Sequence, residues 1–310
     1  MVKPTFPCLT RETMLKRLEL PRGPLSMVLD TDTYNEIDDQ FALVYSLLSP
    51  NLNVEAIYAA PFHNKRSRGP GDGMIKSYEE ILRLLERLGH PHEGFAFHGS
   101  ERYLGDYEHP VQSEAVTDLI AKARSPRSEP LYVVAIGAIT NVASAILLAP
   151  EIIERTVVLW LAGHPQYWPT TQEFNIGQDI PASQLLFDCG VPLIQIPCKN
   201  VAEHLRTTLA EMQTYVKGKG AIGDYLYQVY EKHFDDHYAR SKVLWDISTI
   251  AFLNNPSWTP SEIRPSPILN DNLTWTAGTP SRHPFRVVTD VRRDEVFADF
   301  FRKLARRAAS

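Results

Sequence analysis

The sequence predicts an α/β fold in which a mostly parallel, open sheet is flanked by helices and followed by a helical C-terminal part. Strand-like apolar runs alternate with helix-like patterns over residues 25–198, and these runs are apolar throughout rather than at every second position. Continuous apolar strands are typical of a sheet that helices cover on both faces. The alternation of strand and helix predicts parallel strands joined by right-handed crossovers.

The individual elements follow from these patterns in chain order. The predicted strands are residues 25–31, 53–61, 94–99, 131–137, 156–164 and 191–198. The predicted helices between them are residues 37–49, 74–89, 113–124, 140–154 and 182–190. Gly89 closes the second helix, and Pro150 is expected to break the fourth. Beyond residue 200 we predict helices at 205–218, 223–234 and 241–255, a strand pair of 268–277 with 284–291, and a closing helix at 294–308.

Composition and charge narrow the class of protein. The 310 residues are 44% hydrophobic and 22% charged, which is ordinary for a globular enzyme. Because there is no repeat or clear linker, we expect a single α/β domain over 1–310 with an N-terminal extension at 1–24. The net charge of −5 argues against nucleic acid or a membrane surface as the partner. The chain has no long apolar run, no signal-peptide core and no disulfide-type cysteine spacing, so we expect a cytoplasmic location.

Five carboxylates crowd into ten residues of the segment VLDTDTYNEIDDQFAL, residues 28–43, directly after the first predicted strand. They belong to Asp30, Asp32, Glu36, Asp38 and Asp39. Like charges repel at this spacing, and each ionised group loses hydration on burial. The field at a helix N-terminus, about 0.3–1 kcal/mol, explains only one or two of them. A hard dication explains the whole cluster, because Ca²⁺ and Mg²⁺ take oxygen ligands.

Two other kinds of acidic site do not fit this segment. An EF-hand loop counted from Asp30 needs Gly at its sixth and Glu at its twelfth position, where this chain has Asn35 and Phe41. A phosphatase that forms an aspartyl phosphate would carry Thr or Val in place of Tyr34. Ligands of parallel sheets bind beyond the carboxyl ends of the strands. The segments that follow the predicted strands, and are therefore expected to meet, are 30–39, 61–64, 139–141, 163–175 and 199–204.

The acidic segment resembles the signature of the nucleoside hydrolases, the family called inosine–uridine preferring. Three further segments occur in the order of that family: IGAITNVASA at 136–145, QEFNIGQD at 172–179 and LWDISTIAF at 244–252. The resemblance extends from about residue 25 to the C-terminus. It implies a Rossmann-like nucleoside hydrolase fold, metal-dependent hydrolysis of ribonucleosides to ribose and free base, a part in purine salvage, and a homodimer or homotetramer.

The resemblance also implies roles for individual residues. Asp32 would bind calcium and act as general base toward the attacking water. The other calcium ligands would be Asp39, Asp246 and the backbone carbonyl of Thr140, with Mg²⁺ as the alternative ion. The ribose hydroxyls would be bound by Asp38, Asn64, Glu173 and Asn175. Asp30 would support these ligands from outside the site.

The reaction calls for such residues on chemical grounds as well. Cleavage of a ribosyl C–N bond passes through an oxocarbenium-like ion, so a nucleophile must be aimed at C1′ of the sugar. A carboxylate that accepts the proton of the attacking water contributes roughly 10²–10⁴-fold. Asp246 lies in the predicted apolar helix 241–255, where a lone acid is costly unless it is paired or binds metal. A salt bridge to Arg240 or Lys242 is the alternative. Glu173 and Asn175, taken alone, are more typical of ordinary loop residues than of a site.

Two features depart from the pattern of the family. The loop Thr33–Ile37 between the first acids and Asp38 is longer by two residues, so Asn35 or Glu36 is a candidate for the sugar site. Trp245 occupies the position where many members carry the His that protonates the leaving base. Indole stacking on a base is worth roughly 1–3 kcal/mol. The resemblance to a purine-selective branch of the family, which stacks an indole on the base, favours purine nucleosides.

Further candidates follow from the missing His. Tyr167 and Trp168 would cover the opposite face of the base, and His63 and His237 are candidate replacement acids. Two alternative functions stay open. One is a catalytically impaired protein that binds a nucleoside or sugar on the same scaffold. The other is a hydrolase of a modified or pyrimidine nucleoside.

Overall fold

The computed structural model describes residues 5–309. Ser310 and the first four residues of the predicted extension 1–24 lie outside the described residues. The strands are β1 (Leu25–Thr31), β2 (Leu52–Ala59), β3 (Ala96–Phe97), β4 (Leu131–Ala135), β5 (Thr156–Leu161), β6 (Leu193–Ile196), β7 (Arg206–Thr207), β8 (Lys242–Val243), β9 (Ser261–Pro265), β10 (Ile268–Leu269), β11 (Trp275–Thr276) and β12 (Pro284–Val288). The α-helices are α1 (Arg11–Arg17), α2 (Asp38–Leu47), α3 (Pro70–Leu88), α4 (Glu114–Arg124), α5 (Thr140–Leu148), α6 (Phe174–Gln178), α7 (Ile180–Asp188), α8 (Leu209–Tyr215), α9 (Gly220–Glu231), α10 (Ile247–Asn254) and α11 (Arg293–Ala309).

The mostly parallel sheet predicted from the sequence is confirmed. Within residues 5–309, eight strands form one sheet in the order β3-β2-β1-β4-β5-β6-β12-β9. The pairs from β3 to β12 are parallel, and β9 is antiparallel to β12. Leu29 of β1 lies opposite Ile57 on one side and Val134 on the other. The central strand β1 therefore delivers the acidic segment to the middle of the carboxyl edge.

Helices cover both faces of this sheet, which is why its strands are apolar throughout. Every residue of β4, β5 and β6 is buried. Successive side chains of a strand point to opposite faces. Leu29 and Leu159 pack in the core under α2, α3, α10 and α11, whereas Val28 and Val158 pack in the core under α4, α5 and α7. Met14 of α1 is buried in the first of these cores.

Several local predictions are confirmed and others are wrong. The break at Pro150 is confirmed, because α5 ends at Leu148 and a 3₁₀ helix follows at Pro150–Glu154. The predicted pairing of 268–277 with 284–291 is wrong. Residues of 268–277 instead form the hairpin β10-β11, and β12 joins the main sheet between β6 and β9. The strand β9 escaped prediction because its sequence SEIRP is mostly polar and ends in Pro, which is typical of an edge strand.

The predicted helix 241–255 is wrong over its first residues. Lys242 and Val243 form β8, which pairs antiparallel with β7, and the helix α10 begins only at Ile247. Asp246 is the N-cap residue of α10. The acid therefore lies at a helix terminus, where negative charge is stabilised, rather than within a helix. None of the helices between residues 5 and 309 has the length and apolar character needed to cross a membrane.

Candidate active site

A cavity of about 240 Å³ opens at the carboxyl edge of the sheet, where the rule for parallel sheets places ligands. The lining residues with carboxylate or amide side chains are Asn35, Glu36, Asp38, Asp39, Glu173, Asn175 and Asp246. The other lining residues are Ile136, Leu161, His164, Phe174, Cys198, Lys199 and Trp245. The lining thus combines oxygen atoms suited to a polyhydroxylated ligand with apolar and aromatic side chains suited to an apolar or aromatic one.

Three carboxylates converge at the base of this cavity. Asp38, Asp39 and Asp246 each offer one oxygen, and these oxygens lie within 4.8 Å of one another. All three side chains are buried. Asp38 and Asp39 form the first turn of α2, and Asp246 caps α10, so two helix N-termini direct their positive ends at the cluster. The convergence of these helices brings together acids that are remote in the sequence.

Asp32 lies beside this cluster and is fully buried. Among the described residues, neither of its carboxylate oxygens has a hydrogen-bond partner. Burial and the charge of Asp39 raise the pKa of Asp32 well above its ordinary value. Burial and the charges of Asp38 and Asp39 do the same to Asp246, and burial raises the pKa of Asp39 to about 7. Unpaired buried carboxylates are costly. The donor set, hard carboxylate oxygens of which both of Asp32 lack a partner in the described chain, fits a divalent cation such as Ca²⁺ or Mg²⁺.

Thr140 and Asp30 are fully buried and do not line the cavity. The hydroxyl of Thr140, the first residue of α5, donates to Asp179 at 2.5 Å. The amide of Asn141 donates to Asp30 at 2.7 Å and accepts from Ser100. Burial raises the pKa of Asp30 to about 7. Asp179 was missed because its contacts join segments that are distant in sequence.

Glu173 and Asn175 are built into the wall rather than free in a loop. Glu173 is the N-cap residue of α6, a helix the sequence did not predict, and its carboxylate accepts from the backbone N–H groups of Gly163 and Asn175, each at 2.8 Å. The side-chain amide of Asn175 donates to the carbonyls of Ile136 and Leu161. These bonds leave the side-chain oxygen of Asn175 for the cavity. Burial raises the pKa of Glu173 despite its backbone donors.

The loop Thr33–Ile37, which is longer than in the family pattern, contributes two residues to the cavity wall. Asn35 and Glu36 line the wall, whereas Asn64 does not. The amide of Asn64 donates instead to the side-chain oxygen of Asn35 at 2.6 Å. Asn64 is therefore placed to orient Asn35, which occupies the position nearer the ligand. The sequence marked Asn35 and Glu36 as candidates but contained no signal that would rank them above Asn64.

Trp245 and Phe174 supply the aromatic surface. Trp245 is half-buried in the cavity wall, and its backbone N–H donates to Asp38 at 3.1 Å. Tyr167 and Trp168 do not line the cavity; Tyr167 is 68% exposed. His63 and His237 are likewise outside it.

His164 is the histidine in the wall, and the sequence did not single it out. It directly follows β5 and belongs to the segment 163–175 expected at this edge. Its Nδ1 lies 3.1 Å from the carbonyl of Gly163, and burial lowers its pKa. Its place just after a strand was the signal that could have identified it.

The sequence placed Lys242 in the helix 241–255 as an alternative partner of Asp246, and this placement is wrong. The side chain is 7% exposed, and its ammonium lies 2.9 Å from the carboxylate of Glu36 and 3.6 Å from that of Asp38. The error came from extending the helix pattern through residues that form β8. The buried ammonium belongs to the wall of the acidic cluster.

Comparisons with known proteins agree with this architecture. The pyrimidine-specific ribonucleoside hydrolase RihA of Salmonella typhimurium is 28% identical over 190 residues, which covers 55% of this chain and 59% of RihA. The chain thus spans less than two thirds of the curated relatives it matches. The plant nucleoside hydrolase PpNRh1 superposes with a TM-score of 0.70 at 20% identity, over 91% of this chain and 99% of that one.

A second solved structure gives the same fold. The purine-preferring ribonucleoside hydrolase from Gardnerella vaginalis superposes with a TM-score of 0.69 at 20% identity, over 91% of this chain and 99% of that one. The sequence profile described as "Inosine-uridine preferring nucleoside hydrolase" matches residues 71–299. Because this match spans most of the chain, the protein belongs to the inosine-uridine preferring nucleoside hydrolase family.

Proposed function

We propose that the protein is a metal-dependent hydrolase that cleaves the N-glycosidic bond of ribonucleosides, purine nucleosides in preference, and releases ribose and the free base. One observation carries the proposal: the carboxylates of Asp38, Asp39 and Asp246 meet within 4.8 Å, beside a fully buried Asp32. Such a group of acids is suited to bind a hard cation and to accept a proton from water.

The ion would be held by Asp32, Asp39 and Asp246, together with the backbone carbonyl of Thr140. Calcium is our preferred ion, since four oxygen donors from separate segments fit its flexible coordination, and Mg²⁺ is the alternative. When bound, the ion supplies positive charge that compensates the buried carboxylates and lowers the pKa of water in the site.

The chain's own residues account for the other steps. Asp32 accepts a proton from water as the water oxygen attacks C1′. The C1′–N bond breaks, its electron pair passes to the departing base, and the base takes up a proton from solvent. Asp38, Glu173 and Asn175 accept hydrogen bonds from the ribose hydroxyls, which orients C1′ and stabilises the charge developing on the sugar. Asn64 acts on the same side by orienting Asn35.

Trp245 is the basis for the purine preference. Its indole lines the same cavity as the acids, and a stacked purine gains more contact than a pyrimidine because it has two rings. Similar proteins differ in the specificity that their names give: the Salmonella typhimurium protein is named pyrimidine-specific and the Gardnerella vaginalis protein purine-preferring. The preference of this chain is therefore proposed from its own wall residues.

A panel of ribonucleosides tests the proposal. We expect release of free base from inosine, adenosine or guanosine at a higher kcat/KM than from uridine or cytidine, measured by chromatography of base and ribose. A chelator should abolish the release, and added Ca²⁺ should restore it. Asp39→Asn should remove activity, whereas Asp235→Asn, an exposed carboxylate outside the cavity, should not. Absence of base release from every nucleoside tested would refute hydrolysis.

A second function is favoured by one observation, namely Trp245 in place of a protonating side chain. A catalytically impaired protein would bind nucleosides or ribose by the same wall without cleaving them. Calorimetric titration with ribose and nucleosides, run beside the activity panel, separates the two functions. The homodimeric or homotetrameric state, the cytoplasmic location and the part in purine salvage stay predictions.

A further inference from the structure

Lys242 is a buried cation at the edge of the acidic cluster. Its side chain is 7% exposed, and its ammonium has three oxygen neighbours. These are the carboxylate of Glu36 at 2.9 Å, the carbonyl of Val243 at 2.7 Å and the carboxylate of Asp38 at 3.6 Å. A lysine loses hydration on burial, so such a position is maintained only with charged or polar partners.

Both oxygens of Asp38 are engaged by these surroundings. Oδ1 faces the ammonium of Lys242, and Oδ2 accepts the backbone N–H of Trp245 at 3.1 Å. Asp32 differs, because its oxygens have no partner among residues 5–309. Asp39 differs too, because its hydrogen-bond donor is the neutral hydroxyl of Thr31. Asp38 is thus distinguished from Asp32 and Asp39 by the ammonium that faces it.

Lys242 also anchors the longer loop. Its bond to Glu36 ties the end of the loop Thr33–Ile37 to β8, and Arg66 donates to the backbone carbonyls of Tyr34 and Glu36 from the other side. Glu36 lines the cavity, with its side chain 44% exposed. The loop is therefore held by two cationic side chains, Lys242 and Arg66, and of these Lys242 also contacts the acid Asp38.

We propose that Lys242 is a positioning residue that reserves Asp38 for the sugar hydroxyls and keeps it out of the coordination of the ion, while holding Glu36 in the cavity wall. This inference rests on the proposed function. The physical reason is competition: a carboxylate oxygen that faces an ammonium binds a dication less well. The orientation fixed by Trp245 leaves Asp38 able to accept hydrogen bonds from hydroxyl groups.

Removing the charge of Lys242 should tighten the binding of Ca²⁺. An ammonium this close to the cluster repels a dication, and charges in a buried setting are only weakly screened. Lys242→Met retains the length and apolar stem of the side chain and removes the charge. We therefore expect the variant to bind Ca²⁺ at least about threefold more tightly, although its KM for the nucleoside rises because Asp38 is no longer oriented.

Calorimetric titration of Ca²⁺ into substrate-free protein measures the first effect, and steady-state kinetics measure the second. Arg240→Met is the matched control, because Arg240 is exposed on the same segment and its charge is screened by solvent. We expect its Ca²⁺ affinity to change less than about twofold. A purely structural role for Lys242 would weaken calcium and nucleoside together, so unchanged or weaker Ca²⁺ binding in Lys242→Met would overturn the proposal.

Asp38→Asn provides a test that does not depend on how well Lys242→Met folds. Asp38→Asn removes a nearby charge but, if Lys242 keeps Asp38 from the ion, it removes no ligand, so its Ca²⁺ affinity should fall less than that of Asp39→Asn, which should lose at least about tenfold. A loss in Asp38→Asn as large as in Asp39→Asn would contradict the proposal. If the wild-type protein binds Ca²⁺ but releases no base, the proposed reaction is refuted and the role of Lys242 is still tested, since these titrations need no turnover. Sugar binding is then measured with ribose instead of by kinetics.

Discussion

The backbone N–H of Trp245 donates a 3.1 Å hydrogen bond to the side chain of Asp38, which lies 207 residues earlier in the chain. This bond ties the start of α10 to the start of α2. It therefore brings Asp246, the next residue, beside Asp38 and Asp39. One contact between two helix N-termini thus assembles the acidic cluster and places an indole next to it.

The role proposed for Asp32 predicts opposite effects of one substitution on rate and stability. Asp32→Asn should lower kcat by roughly 10²–10⁴-fold, because an amide cannot accept the proton of the attacking water. The same change should raise the melting temperature of the ion-free protein, since it removes a buried carboxylate without hydrogen-bond partners in the described chain. Kinetics and thermal unfolding in chelator measure the two effects. A destabilised ion-free variant would contradict this assignment.

Calcium should stabilise the folded protein increasingly as its concentration rises above Kd. An ion that binds only the folded state adds about 2.7 kcal/mol to the free energy of unfolding at a hundredfold excess over Kd. We expect thermal unfolding to shift upward with Ca²⁺, and the shift to vanish in Asp246→Asn. Asp271→Asn, an exposed carboxylate, should retain the full shift. If Mg²⁺ produces the larger shift at equal concentration, the preference for calcium is wrong.

Trp245 should affect base binding more than sugar binding. Replacing the indole by Ala removes stacking worth roughly 1–3 kcal/mol, which corresponds to about 5- to 150-fold in the affinity for a purine nucleoside. Trp245→Phe should lose only part of this. The backbone donor to Asp38 remains in both variants, so inhibition by the product ribose should be nearly unchanged. Equal losses for ribose and inosine would indicate a collapsed site rather than lost stacking.

His283 predicts a pH dependence of stability that is independent of the cavity. Burial, reinforced by the charge of Arg282 and opposed by that of Asp188, lowers the pKa of His283 from 6.5 to about 4. The imidazole Nε2 is buried and has no partner within residues 5–309. Between pH 4 and 6.5 the unfolded chain binds the proton and the folded protein does not. Stability therefore rises with pH across this window and is lost as the pH falls.

Urea unfolding at several pH values tests this prediction. His283→Gln should reduce the slope of stability against pH by up to about 1.4 kcal/mol per pH unit between pH 4.5 and 6. His92→Gln, at an exposed histidine, is the control and should leave the slope unchanged. The difference between wild type and variant isolates His283 from the acids of the cavity. Parallel curves for wild type and His283→Gln would rule out the buried neutral imidazole.

The features that local sequence determined are those with a local physical cause. The apolar runs of β1, β4, β5 and β6 specify buried strands whatever lies beside them, because burial on both faces demands continuous apolar residues. The acids that follow β1 are placed at the carboxyl edge by the direction of that strand alone. This is why the fold class, the parallel sheet and the position of the acidic segment were predicted correctly.

Tertiary structure decided which side chains meet. Three contacts join segments that are distant in the sequence. They are the pairing of β12 with β6 and β9, the ion pairs of Lys242 with Glu36 and Asp38, and the hydrogen bond from Asn64 to Asn35. No periodicity or turn signal encodes such contacts, since they depend on how separately folded elements pack. Local pattern therefore determined the sheet and its acidic edge, and packing determined which acid faces the lysine and which remain for an ion.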